Sequence, residues 1–354
     1  MGTYKLNNIL LEDYNNILKE FPNIDIFRRK TILITGATGL VGSMLTRFFL
    51  YCNKKVNLNV RVIALVRNKR KADKIFANYS QRNLDYVIAD LGKDLIKIDS
   101  DIDYIIHAAA VTNSKLLIES PVESLETAVN GTEKILKLAT EKNVYSVVYL
   151  SSMEVYGQPD DSEKTTEDKL GYIDLTNPRS GYPESKRLCE SLCTAYATQY
   201  NLNVKVARLA QTFGAGVLPG ENRVFAQFAR SIINEENIVL HTEGHSEGNY
   251  VYISDAIYAI LFLLLNGDKG QAYNIVNEQN HMSIRQMANL VVNNFGSDKQ
   301  KVIIDIPKEN MGYAPEVHMS LSGQKLMNIG WKPSYDLVDS YNRLIQWLKS
   351  GFDY

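Results

Sequence analysis

Residues 31–42 read TILITGATGLVG, and the segment that follows is apolar-periodic to about Cys52. TILIT is a short β-branched run of the kind that forms a buried strand. Gly36, Gly39 and Gly42 then stand between this strand and a helix. One glycine makes a tight turn, another lets the backbone approach a pyrophosphate, and the third lets helix and strand pack closely. The helix N-terminus offers unpaired N–H groups and partial positive charge to the phosphates. A glycine triad alone is a weak sign; a strand before it and an amphipathic helix after it make a dinucleotide fingerprint. Thr38 and Leu40, inside the same turn, complete the contacts expected there.

Working outward, strands are expected at 59–66, 84–88, 104–107, 144–150 and 204–208, and helices at 67–79, 121–142 and 181–200. This alternation predicts an α/β protein with a doubly wound, Rossmann-type parallel sheet covered on both faces. Such sheets bind ligands at the carboxyl ends of their strands. After Phe213 the texture changes. A Gly/Pro-rich loop leads to helices near 224–233, 254–265 and 283–293, with Ser283 as a cap, and to short strands near 238–240 and 272–276. Three segments result: an extension at 1–30, a dinucleotide-binding domain at 31–213, and a smaller, mainly substrate-binding α/β region at 214–354. The extension carries Leu6, Ile9, Leu10, Tyr14, Ile17, Leu18 and Phe21 near helical spacing and stops at Pro22. It reads as an amphipathic helix laid on the main body or on a partner subunit.

The chain has 354 residues, with 39 basic against 40 acidic side chains and a formal charge of -1. That argues against nucleic acid as a partner while permitting a local anion site. Three cysteines, Cys52, Cys189 and Cys193, are too few for a disulfide framework and point to a reducing compartment. Cys189 and Cys193 read as buried helix thiols, and no metal site is expected. No signal peptide is visible, and the apolar run at 256–265 is about half of what a bilayer needs. The expectation is therefore cytoplasmic, with no membrane association.

A second strand ending in Asp or Glu would mark recognition of a ribose 2′-hydroxyl. Here it ends ALVRNKR, residues 64–70. Arg67, with Lys69 or Arg70, can neutralise a 2′-phosphate, which favours NADP; Asn68 can instead bond a bare ribose, which keeps NAD open. Asp90, followed by Leu91, is a candidate for the adenine amino group, or a turn cap. Ala108, Ala109 and Ala110 leave room for a cofactor to lie flat at the sheet edge. His107, just before them, reads as a packing residue.

Tyr182 and Lys186 lie four positions apart in GYPESKRLCE, so a helix stacks them on one face. A phenol has a pKa of about 10, and bringing it to about 7 needs roughly 4 kcal/mol of differential stabilisation. One lysine falls short of that; a positively charged dinucleotide ring nearby would help. The fifth strand ends in YLSSMEVYG, residues 149–157. Ser152 can hold a substrate hydroxyl near Tyr182, whose phenolate takes the proton while a hydride leaves the same carbon. Glu154 emerges at the same edge.

GATGLVG, HAAA, VNGT, SSMEVYG, YPESK, ARLAQTFG and NYVYISDAI occur in order over roughly residues 31–340. Together they resemble the extended short-chain dehydrogenase/reductase superfamily, and within it the nucleotide-sugar epimerase/dehydratase family. The resemblance implies tightly bound NAD or NADP, catalytic roles for Ser152, Tyr182 and Lys186, a keto-sugar intermediate, and a homodimer built partly through the Tyr182 helix. Family 4,6-dehydratases carry Asp-Glu after the serine; here the pair is Met153-Glu154. A thioether cannot protonate a leaving group, which counts against ordinary dehydration. Glu154 keeps the base position and resembles the UDP-glucuronate decarboxylase branch. At positions that contact the substrate phosphates, Gln211 replaces the usual Asn and Gly248 the usual Arg. His245 or Arg223 are the candidate substitutes. The leading expectation is an epimerase or epimerase/dehydratase-type enzyme on a nucleotide-activated sugar, with Glu154 moving a proton alpha to the carbonyl. An oxidative decarboxylase is the alternative, and a non-catalytic dinucleotide-binding regulator is the rival from another class.

Overall fold

A computed structural model describes residues 7–21, 23–112, 114–160, 163–307 and 316–351. Six strands come from the first two-thirds of the chain: β1 (Thr31–Thr35), β2 (Arg61–Val66), β3 (Leu84–Ile88), β4 (Tyr104–His107), β5 (Ser146–Ser152) and β6 (Val204–Leu209). They lie in the order β3-β2-β1-β4-β5-β6, and the Ala272–Ile275 strand adds to β6 as a seventh. Every pairing is parallel. The order reverses beside β1, so the crevice between β1 and β4 is the switch point at which such sheets take ligands.

Both faces are buried because the strands are apolar on both sides. Ile32 and Ile34 join Val62, Ala64, Ile106 and Val148 against the Leu40–Val56 and Ile253–Asn266 helices. Leu33 points the other way, with Ile63, Ile105, Val147 and Tyr149, against the Pro121–Glu141 and Gly181–Gln199 helices. All three cysteines are buried and unpaired in these helices. The apolar run near residue 260 is the core of the Ile253–Asn266 helix, and no helix among the described residues is long and apolar enough to cross a membrane.

Expectation and structure differ where the pattern is short or bent. The charged helix after β2 is one compact piece, Lys69–Ile75, rather than a run to residue 79. The fifth strand extends to Ser152 itself, so that residue is the last of the strand and the cap of the turn that follows. In the C-terminal part, Glu247–Tyr252 and His281–Ser283 form a three-stranded sheet with Gln211–Phe213 from the end of the preceding segment, and a Leu337–Lys349 helix follows. Ser283 caps its helix through a full capping box with Gln286.

The N-terminal extension is helical over Asn8–Glu20, capped by Asn7. Its expected stop, Pro22, and its first turn at residues 4–6 lie outside the described residues. Leu10, Tyr14 and Ile17 are buried against the protein's own body. Each contributes about 1.5–3 kcal/mol as an upper value. Tyr14 packs on Phe48 and Tyr51, and Asn16 bonds the Tyr335 hydroxyl at 2.7 Å. Asp13 is fully buried, accepting a hydrogen bond from the Tyr252 hydroxyl at 2.7 Å and standing 3.0 Å from an Arg343 nitrogen.

Candidate active site

The glycine turn has the shape its spacing predicts. Gly36 adopts φ +63°, and a Cβ there would meet the Ala108 carbonyl oxygen and the Ala109 backbone at 2.8 Å. A Cβ on Gly42 would strike the Gly36 carbonyl oxygen at 2.3 Å. These two positions bring the first turn of the Leu40–Val56 helix against the ends of β1 and β4. Gly39 caps that helix without a side chain, and Thr38 and Leu40 flank it half-buried. The open first-turn N–H groups and the glycine cradle fit a dinucleotide pyrophosphate.

A polar relay fixes the far wall of this cradle. The Ala109 N–H donates to the Thr35 hydroxyl at 3.1 Å, and that hydroxyl lies 2.7 Å from His107 Nδ1. His107 Nε2 lies 3.2 Å from the Thr132 hydroxyl, which itself donates to the Ala128 carbonyl at 2.7 Å. Thr132 must therefore accept from an Nε2–H, leaving Nδ1 to accept from Thr35. Burial, and then the Lys186 charge, push the imidazole down to about 3, so it stays neutral. His107 thus orients the Thr35 hydroxyl that holds the Ala109 N–H, and Ala108, Ala109 and Ala110 are all half-buried at the sheet edge.

Beyond β2, Arg67 and Arg70 are exposed, whereas Lys69 is paired with Asp73 at 2.8 Å. Asn68 accepts the Lys71 N–H as a helix cap. Asp90 accepts the Gly92 N–H at 2.9 Å, closing its own turn. The Leu91 side chain packs in the core, and its carbonyl accepts from Lys134 at 2.8 Å.

Tyr182 and Lys186 share one face of the Gly181–Gln199 helix. Lys186 is buried, donates to the Leu150 carbonyl at 2.7 Å, and sits 4.8 Å from the Tyr149 ring centre and 5.9 Å from that of Tyr182. Burial brings its ammonium down to about 8. The Tyr182 phenol is pushed up to about 12, by burial first and by the Glu154 carboxylate second. A hydrogen bond with Ser152 and the charges of Arg179 and Arg223 pull the other way. The phenol thus gives up its proton less readily than free tyrosine, and a cationic ring beside it would favour the phenolate.

Ser152 accepts the Glu154 N–H at 3.2 Å and so caps the Met153–Tyr156 turn. Behind this turn lies a buried network that sequence reading missed. Arg208 pairs with Glu190 at 2.7 Å and donates to the Tyr156 hydroxyl at 3.0 Å, and the Ser151 hydroxyl donates to Glu190 at 2.5 Å. Residues 182, 186 and 190 continue one i, i+4 row, which is the signal that could have found Glu190. In front of the turn, Arg179 donates to Glu154 at 2.9 Å. Arg179 was also missed, although it lies three residues before Tyr182.

Substrate-side candidates are more dispersed. Arg223 is close enough for Tyr182 to feel its charge, but it is paired with Glu221 at 2.7 Å and rests on the Phe225 ring. Gln211 is half-buried and opposite Tyr250, and His245 is exposed. A Cβ on Gly248 would lie 3.7 Å from Met153 Cε. Met153 and Gly248, two of the three positions at which the resemblance leads to a different residue being expected, are therefore neighbours.

These features define a doubly wound dinucleotide-binding sheet with a Ser–Tyr–Lys edge. Residues 32–276 match the NAD dependent epimerase/dehydratase family. UDP-glucuronic acid decarboxylase 1 of Xenopus tropicalis is 27% identical over 333 residues, 92% of this chain and 74% of that protein. The dTDP-D-glucose 4,6-dehydratase of Mus musculus is 25% identical over 346 residues, 91% of this chain and 90% of that protein. The crystal structure of UDP-glucose 4-epimerase from Thermotoga maritima superposes with a TM-score of 0.74 at 21% identity, covering 90% of this chain and 99% of that one. The protein belongs to the NAD dependent epimerase/dehydratase family, and it is an NAD(P)-dependent enzyme of that type.

Proposed function

We propose that the protein acts on a nucleotide-activated sugar through a keto-sugar and moves a proton alpha to the new carbonyl, as an epimerase-type enzyme. The observation that carries this reading is the meeting of Ser152, Glu154 and Tyr182 at one strand end above buried Lys186. Gly36, Thr38, Gly39, Leu40 and Gly42 would hold the pyrophosphate, and Ala108–Ala110 would lie along the cofactor. Once bound, the dinucleotide would supply a hydride acceptor for the sugar carbon, and positive charge near Tyr182. Ser152 orients the sugar hydroxyl. Tyr182 takes its proton, with Lys186 favouring the phenolate. Glu154 then accepts the proton from the neighbouring carbon, water returns a proton to the opposite face of that carbon, and with return of the hydride Tyr182 gives its proton back to the oxygen.

Met153, buried at the position where a proton donor would stand, supports epimerisation over dehydration. A second reading, decarboxylation of a nucleotide sugar acid, has support from Arg179, a cation beside Glu154, and from the decarboxylase relative. Exposed Arg67 and Arg70, with Asn68 engaged as a cap, support NADP; NAD is the alternative. Leu188 and Val122, exposed on the paired Gly181–Gln199 and Pro121–Glu141 helices, support a homodimer, and the unpaired cysteines support a cytoplasmic location.

The test is mass spectrometry of ligands retained by the purified protein, followed by incubation with UDP-, dTDP-, CDP- and GDP-sugars. Unchanged mass with a new NMR coupling pattern is expected. Loss of carbon dioxide would replace the first reading by the second, and loss of water would overturn both. A protein that binds dinucleotide yet turns over no sugar, with Tyr182→Phe binding ligands equally well, would favour a regulatory role. Light scattering of the pure protein checks the dimer.

A further inference from the structure

Two proposed bases share this pocket, and a carboxylate beside a phenol opposes its ionisation. Glu154 stands on the Met153–Tyr156 turn and Tyr182 on the first turn of the Gly181–Gln199 helix. Arg179 reaches between these elements from the Pro178–Ser180 turn, whose cap is the Asn177 side chain accepting the Arg179 N–H at 3.0 Å. Its Nη1 donates to Glu154 Oε2 at 2.9 Å, and both side chains are about one-third exposed, at 33% and 37%. The pair therefore faces solvent rather than the core.

We propose that Arg179 is a positioning residue that holds the Glu154 carboxylate and screens its charge from Tyr182, so that the two bases work in succession in one pocket. The proposal rests on the proton-transfer reading of Glu154. While Arg179 grips Oε2, Tyr182 accepts the hydroxyl proton without facing a bare carboxylate. When the guanidinium releases that oxygen, Glu154 is free to take the carbon-bound proton.

The other groups facing the phenol are accounted for. Lys186 lies on the same helix, Ser152 and Tyr149 on β5, and Arg223 at the start of the Val224–Ile233 helix. Arg223 is tethered to its own partner, Glu221. Among these described groups, Arg179 is the cation paired directly with Glu154.

The test is ¹⁹F NMR of 3,5-difluorotyrosine placed at position 182, whose acidic phenol brings the titration into a range that the folded protein tolerates. Arg179→Ala should raise the midpoint by about one unit, which is about tenfold less phenolate at fixed pH. Arg179→Lys should recover most of the shift, and Arg179→Ala combined with Glu154→Gln should return the midpoint to that of the parent. A midpoint unmoved by Arg179→Ala, or one still raised in the double variant, overturns the proposal. Because this titration needs no substrate, it is separate from the sugar screen: a parent protein silent toward every nucleotide sugar would remove the proposed reaction and leave the screening result standing.

Discussion

The two arginine–glutamate pairs that flank the Met153–Tyr156 turn have the same chemistry and opposite settings. Arg208 and Glu190, behind the turn, are 7% and 12% exposed and reach Ser151, Tyr156 and the Glu167 carbonyl as well as each other. Arg179 and Glu154, in front, are about one-third exposed and make a single bond. The rear pair is satisfied on all sides, which is what a buried ion pair needs if it is to be tolerated. The front pair is wet and replaceable. The rear pair braces the turn from the core, while the front one is held only at the surface.

The comparison breaks most sharply at Glu190. Glu190→Gln leaves the Arg208 charge buried without its anion, and unfolding in denaturant should show a loss of about 3–5 kcal/mol. A loss below 1 kcal/mol would mean that the rear pair is no more structural than the front one. At the front, Glu154→Gln should cost less than about 1 kcal/mol in the same assay. It should nonetheless slow solvent-deuterium exchange at the sugar carbon about a hundred- to ten-thousand-fold. Oxidation of the hydroxyl, followed by cofactor absorbance, should continue; equal loss of both steps would contradict separate roles.

His107 sharpens the buried side of the contrast. Its imidazole is held at about 3 in the fold against an ordinary 6.5. The unfolded chain therefore takes up a proton that the folded one refuses. Stability present above pH 6.5 is lost as the pH falls towards 3, by about 2 kcal/mol at pH 5. Melting curves from pH 7 to 5 should show this slope, and His107→Gln should flatten it. The smallest effect is expected for Arg179→Ala, whose change in unfolding free energy should stay under about 1 kcal/mol whatever it does to the Tyr182 titration.

Much of this was legible in the sequence because the signals are local. TILITGATGLVG, YPESK and YLSSMEVYG each carry strand, turn or helix geometry within a dozen residues, and the expected strands and helices of the sheet follow from their apolar periods. Arg179 and Arg208 were not legible, because their partners lie 25 and 18 residues away and meet them through packing. The Gln211–Phe213 and His281–Ser283 strands have three residues each, too few for a period of two to register. The Leu337–Lys349 helix, with its Asp336 cap, carries a pattern that is readable in the sequence.

The docking of the Asn8–Glu20 helix has a consequence for how the chain comes into being. Glu12 pairs with Arg343, 331 positions later, and Asp13 uses Tyr252 and the same arginine. On a ribosome adding about 5–20 residues per second, the helix waits on the order of tens of seconds for the surface that receives it. During that interval Tyr14 can already meet Phe48 and Tyr51, whereas Glu12 and Asp13 still lack Arg343. The docking of this short segment is accordingly finished only once the Leu337–Lys349 helix has been made.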